Sequence, residues 1–99
     1  MIRHIVMFTL KDFSEDEKVS VKLKIKDMLE GLKDIIPGIV KLNVITEPLH
    51  TTDGDVVLDS LFESEEALGN YQIHPEHKKV GEYIGTVRKD RICIDYYEL

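Results

Sequence analysis

The 99-residue chain has no tryptophan, one cysteine (Cys93) and three prolines, and its 13 basic residues are outnumbered by 19 acidic ones. Each shortage excludes something. One cysteine cannot close an internal disulfide, so a disulfide-stapled secreted scaffold is out. The net charge of −6 argues against a nucleic-acid binder, which needs a basic face to displace counterions from phosphates. It argues equally against docking on anionic membrane surfaces. No apolar run approaches the roughly 18 residues of a membrane-spanning helix. Met1-Ile2-Arg3 leads into a strand pattern rather than a signal peptide. The expectation is a cytoplasmic protein with a reduced thiol. Cys and His show no metal-ligand spacing, and there is neither a phosphate-cradling glycine loop nor a Ser–His–Asp set. The side chains therefore call for no metal and no cofactor.

What is present suits one folded domain over residues 1–99, with 42% hydrophobic and 32% charged residues. Residues 2–10 read as a strand, with His4, Val6, Phe8 and Leu10 on one face and Arg3, Ile5, Met7 and Thr9 on the other. Ser14-Glu15-Asp16-Glu17 is an S-x-x-E capping box, and it predicts a helix running to about Lys33. Val21, Ile25, Met28, Leu29 and Leu32 form its buried stripe, while Lys18, Lys22, Lys24 and Lys26 lie mostly off it, in solvent. Pro37-Gly38 turns the chain into a second strand, residues 39–46. Its alternation sets Val40, Leu42 and Val44 against Ile39 and Ile45.

A polar loop, 47–54, precedes a third strand, 55–62. Ser64 caps a short helix that buries Ala67, Leu68 and Tyr71, and Pro75 opens another that buries Val80, Ile84 and Val87. Residues 91–97 close the chain as a fourth strand. The order β-α-β-β-α-β is the ferredoxin-like α+β arrangement, an antiparallel sheet with helices on one face.

That arrangement leaves the other sheet face in water, yet here both faces are apolar: Val6 and Phe8 against Ile5 and Met7, Val56 and Leu58 against Val57 and Leu61. Ile92 and Ile94 likewise oppose Cys93. Soluble monomers rarely expose so large a patch. A second copy packed sheet to sheet covers it, so the expected partner is the chain itself, as a homodimer.

Candidate chemistry rests on histidines and one tyrosine. His50 falls in the polar loop and reads as solvated, and His74 precedes Pro75, where a polar side chain serves the helix start. His77 lies three residues before Val80 and seven before Ile84, on the buried stripe. Tyr71 faces inward from the preceding helix, and His4 shares a strand face with Val6 and Phe8. If that face looks toward the helices, the three converge in one apolar pocket. A neutral imidazole there is a general base near pH 7, and a tyrosine hydroxyl can hold a carbonyl or an enolate oxygen. The plainer reading, core histidines bonded to nearby acceptors, stays open beside it. Asp95 could orient a histidine but reads first as an edge residue, and Asp59 falls on the dimer face, where it needs a partner. Cys93 reads as a small apolar filler.

Ile2-Arg3-His4-Ile5-Val6, Ile35-Ile36-Pro37-Gly38, Leu61-Phe62-Glu63-Ser64-Glu65-Glu66-Ala67-Leu68, Tyr71-Gln72-Ile73-His74-Pro75-Glu76-His77 and Ile94-Asp95-Tyr96 fall in a familiar order. Over essentially its whole length the chain resembles the stress-responsive A/B barrel (Dabb) family. The resemblance implies a ferredoxin-like subunit that dimerises through its sheets into a dimeric α/β barrel with the helices outside. An enzymatic relative in that family is the plant olivetolic acid cyclase, an aldol cyclase. By resemblance His77 falls on its catalytic histidine, Tyr71 on its active-site tyrosine and His4 on its pocket histidine. The stretch around Lys24, Ile25, Lys26 and Met28 lacks the aromatic wall that receives the cyclase's acyl tail.

Two readings of function follow. In one, the homodimer binds or converts a small oxygenated metabolite by His/Tyr acid–base chemistry of the aldol or enol type. In the other, it is a non-catalytic stress-related module. A dimeric ferredoxin-like monooxygenase shares the architecture, but the missing tryptophan and the lack of a haem-ligand setting count against it.

Overall fold

The first strand, apolar on both faces, lies inside the sheet, paired along both of its edges. The computed structural model describes residues 1–99. Strand β1 (Ile2–Leu10) is followed by helix α1 (Glu15–Glu30), strands β2 (Ile39–Ile45) and β3 (Val56–Phe62), helices α2 (Glu65–Ile73) and α3 (Pro75–Val87), and strand β4 (Arg88–Tyr97). The sheet order is β2-β3-β1-β4, with every neighbour antiparallel. This is the ferredoxin-like α+β fold, with the second helical region split at His74-Pro75.

Local chemistry sets the element ends. The Ser14 hydroxyl accepts from the Glu17 amide at 3.2 Å, and the Glu17 carboxylate accepts from the Ser14 amide at 3.3 Å. Ser64 accepts from the Ala67 amide at 3.1 Å at the start of α2. Helix α1 stops at Glu30, three residues before the expected Lys33. Gly31 is a poor helix former, and beyond it the amides of Leu32, Lys33 and Ile35 bond three residues back in tight turns.

The core packs Val6, Phe8, Leu58 and Phe62 of the sheet against Ile25 and Leu29 of α1 and Val80 and Ile84 of α3. Of the expected α1 stripe, Ile25, Leu29 and Leu32 are buried, while Val21 and Met28 pack half-exposed at its margin. Strand β2 departs from simple alternation. Its register slips between Ile39 and Lys41, so Ile39 joins Leu42 and Val44 on the core face. The expected placing of Ile39 with Ile45 is corrected by this bulge, which inserts one residue and flips the face of everything before it. Lys26 is not simply solvated either. Its ammonium donates to the Val44 carbonyl at 2.8 Å, and Glu30 accepts from the Val44 amide at 2.8 Å. The two side chains occupy backbone groups that the β2 edge would otherwise present to another strand.

The face without helices reads as three rows across the strands. Ile45, Val57, Met7 and Ile92 lie side by side, all apolar. The next row is Asn43, Asp59, Ile5 and Ile94, and the third is Lys41, Leu61, Arg3 and Tyr96. Asp59 finds its partner within the same chain, accepting from the Arg3 guanidinium at 2.9 Å. Ile92 and Ile94 are 62% and 58% exposed in the single chain.

Gly38 sits at φ +88°, and a Cβ there would lie 2.6 Å from the Ala67 Cβ of α2. Gly38→Ala is therefore expected to lower unfolding free energy by about 1–3 kcal/mol through backbone strain and overlap. Gly85→Ala, in α3 with open space around it, should raise it by up to about 1 kcal/mol. Urea titration of the two variants checks the opposite signs.

Candidate functional site

Antiparallel pairing places His4 directly opposite Ser60 on one side and Asp95 on the other. The Ser60 hydroxyl, fully buried, donates to the His4 carbonyl at 2.6 Å and pins the strand. The His4 ring is buried, and its Nδ1 is hydrogen-bonded to the Asp95 carboxylate. A carboxylate only accepts, so Nδ1 carries the donated proton and Nε2 is the free ring nitrogen. Asp95 thus does orient a histidine. The reading of it as a mere edge residue is corrected: it lies on an edge strand, but on the helix-facing side in register with His4.

Above His4, α2 lowers Tyr71 into the core with no exposed surface. The Tyr71 ring lies 4.9 Å from that of Phe62 and 6.4 Å from that of His4. Helix α3 then brings in His77, half-buried, with its ring 4.3 Å from Tyr71. The three residues singled out from sequence thus meet around one cavity of about 150 Å³. Val6, Phe8, Leu29, Leu58 and Ile84 supply its apolar wall, and Arg88 and Arg91 also line it. The other two histidines stay outside. His50 is exposed in the loop before β3, and His74 caps α3, its Nδ1 accepting from the Glu76 amide at 3.1 Å. A second, more open recess of about 240 Å³ lies between α2 and β4, beside Tyr96 and Tyr97. It is the larger space, but no buried polar atom lining it lacks a partner.

The first cavity does hold such atoms. Tyr71 Oη and His77 Nδ1 are buried and make no hydrogen bond of good geometry, although the Gln72 backbone lies close to the His77 ring. Each such orphan costs roughly 1–3 kcal/mol. Burial pushes the Tyr71 phenol well above its ordinary range, with the positive charge of Arg91 opposing only in part. It therefore remains a protonated donor. Burial also pushes the His77 imidazole below its ordinary value. The Gln72 backbone favours the charged ring, while the positive fields of His4, Arg91 and His74 disfavour it further. The site thus offers a neutral imidazole beside a phenolic O–H, one pairing able to serve as base and hydrogen-bond donor in proton abstraction next to a carbonyl. No three His, Cys, Asp or Glu residues cluster as metal ligands.

Two residues of this site escaped the reading of the sequence, Arg88 and Arg91; Asp95 was raised as able to orient a histidine but ranked first as an edge residue. Strand β4 begins at Arg88, not at 91. Arg91, Cys93 and Asp95 alternate onto the helix-facing side, paired with Phe8, Val6 and His4. That alternation was the available signal. The register that turns it into a contact was not.

The ferredoxin-like α+β fold defines the class, and the histidine–tyrosine pocket lies between its helices and its sheet. The stress responsive A/B barrel domain model matches residues 2–98, and the chain belongs to that family. Two stress-response A/B barrel domain-containing proteins of Arabidopsis thaliana are 29% and 30% identical over 97% of this chain. The chain spans 46% and 36% of their lengths, less than half of either. A dimeric protein of unknown function and ferredoxin-like fold from Bacteroides fragilis superimposes with a TM-score of 0.87 at 30% identity, over 96% of this chain and 93% of that one. A hydroxynitrile lyase from Passiflora edulis shares the fold, with a TM-score of 0.77 at 18% identity over 96% and 90% of the two chains.

The lowered His77 value has a stability consequence with a definite sign. The folded state favours the neutral ring, so its contribution is fully present above the ordinary value of 6.5 and is lost as pH falls below it. His77→Gln should flatten that part of the stability–pH curve relative to wild type, as urea midpoints between pH 7.5 and 5 would show. An NMR titration that finds the His77 ring protonating at or above 6.5 contradicts the burial argument.

Proposed function

We propose that the chain acts as a homodimer in which each subunit binds a small carbonyl compound and moves a proton on the carbon beside that carbonyl. The observation that carries this reading is the pair of orphaned polar atoms, Tyr71 Oη and His77 Nδ1, buried against one cavity. In the proposed step, Tyr71 donates a hydrogen bond to the carbonyl oxygen. His77 Nδ1 takes the adjacent C–H proton, and the electron pair moves onto that oxygen as an enolate. Exchange of the abstracted proton with solvent before one returns to the same carbon gives isotope exchange, and attack of the enolate on a second carbonyl gives an aldol product. His4, fixed by Asp95, presents Nε2 as an acceptor for a substrate hydroxyl. A cavity of about 150 Å³ suits a molecule the size of benzene, which favours a compact substrate over a long acyl chain.

The test is deuterium exchange at the carbon beside the carbonyl of small ketones, followed by NMR. His77→Ala should slow it about a hundredfold or more, and Tyr71→Phe by a similar factor. If His77→Ala instead lowers thermal stability and neither protein binds or exchanges any ketone, the protein is a non-catalytic module.

The apolar row Ile45-Val57-Met7-Ile92 supports the homodimer, as does the dimeric relative from Bacteroides fragilis. Twice 11.4 kDa is about 23 kDa, the mass sedimentation should report at micromolar concentration. Ile92 is exposed in the single chain, so Ile92→Lys should leave the fold intact and halve that mass. A wild-type monomer rejects the dimer.

A further inference from the structure

The chain has three arginines, and their surroundings differ. Arg3 lies on the helix-free face and holds two carboxylates, Asp59 at 2.9 Å and Glu98 at 2.6 Å. Arg88 and Arg91 both line the His4–Tyr71–His77 cavity. Neither forms an ion pair or a side-chain hydrogen bond, in a chain with 19 acidic residues. A cation at position 88 is accounted for in part by the C-terminus of α3. Arg91 has no such helix-end role: it is exposed three residues into the edge strand β4, opposite Phe8, and solvent satisfies it while its side chain borders the cavity. Two unpaired guanidinium groups therefore flank a pocket whose other polar atoms, Tyr71 Oη and His77 Nδ1, are also unpartnered.

We propose that the molecule bound here is itself an anion, a small oxo-carboxylate whose carboxyl group is held by Arg88 and Arg91 while its carbonyl faces Tyr71 and His77. The inference rests on the carbonyl reading of the site and narrows its substrate class. Planar guanidinium donors match the two oxygens of a carboxylate. The charge also has a chemical use. Removing a proton from a carbon near a carboxylate places a second negative charge on the same small molecule. Two cations bordering the pocket offset that repulsion where the enolate forms. The wall of Val6, Phe8, Leu58 and Ile84 leaves room for a short alkyl body and no more. Carboxylates and phosphate esters share this recognition chemistry, and the apolar, compact cavity favours the smaller head group.

Three probes separate the possibilities: 2-oxobutanoate, its neutral isostere 2,3-pentanedione, and dihydroxyacetone phosphate. Affinity is read by NMR titration, and exchange beside the carbonyl by deuterium uptake. Wild type should bind 2-oxobutanoate about tenfold or more tighter than the diketone, the range expected for charged hydrogen bonds. Arg88→Gln and Arg91→Gln should each erode that preference, and the double variant should abolish it. His77→Ala should retain the preference while losing exchange. If wild type and the arginine variants treat both probes alike, the anion site is overturned, whether or not exchange is catalysed. If 2-oxobutanoate binds in an arginine-dependent way without exchange, the anion site stands and the proton-transfer reading falls. Tighter binding of the phosphate ester than of 2-oxobutanoate overturns the assignment to a carboxylate.

Discussion

The rest of the molecule depends on the position of β1. It is paired on both edges, with β3 and with β4, so each of its side chains must enter one of two layers. Successive residues alternate, and the segment His4-Ile5-Val6-Met7-Phe8 supplies both layers at once. His4, Val6 and Phe8 form the floor of the helix-covered pocket. Ile5 and Met7 form the centre of the bare face. A one-residue slip would exchange the two sets and destroy both. The Ser60 hydroxyl on the His4 carbonyl and the Asp95 carboxylate on the His4 ring hold the register where the pocket needs it.

A chain of this size has a total stability of about 5–15 kcal/mol. Two buried polar atoms without partners are a substantial drain on it, at roughly 1–3 kcal/mol each. Other buried polar groups here are satisfied with care: Ser60 has its carbonyl, and His4 has its carboxylate. The contrast sets Tyr71 and His77 apart from ordinary core residues. Their cost is local and coincides with the cavity, as it does where a ligand supplies the missing bonds. The same pattern appears in charge, since the arginine on the bare face is paired twice and the two at the pocket are not.

Much of this was legible before any coordinates. Period-two alternation identified β1 and its two faces, the capping box at Ser14 and the N-cap Ser64 located helix starts, and His-Pro marked the break between α2 and α3. Spacing alone placed His77 on an inward stripe and Tyr71 on the facing helix. What failed was whatever depends on register or on a single inserted residue. The bulge at Ile39–Lys41 moved Ile39 to the core face. The pairing of Asp95 with His4 joins residues 91 positions apart, and no local pattern records it. Strand β4 begins three residues earlier than its apolar pattern indicated, at Arg88, and only its pairing with β1 shows that Arg91 borders the pocket and that Asp95 meets His4.

The central claim is that Tyr71 and His77 await the same small molecule. A crystal structure of the protein with 2-oxobutanoate measures this most directly. The account predicts the carbonyl oxygen within hydrogen-bond distance of Tyr71 Oη and the adjacent carbon against His77 Nδ1. A pocket that stays closed, with Tyr71 and His77 bonded to each other or to the backbone, would contradict it.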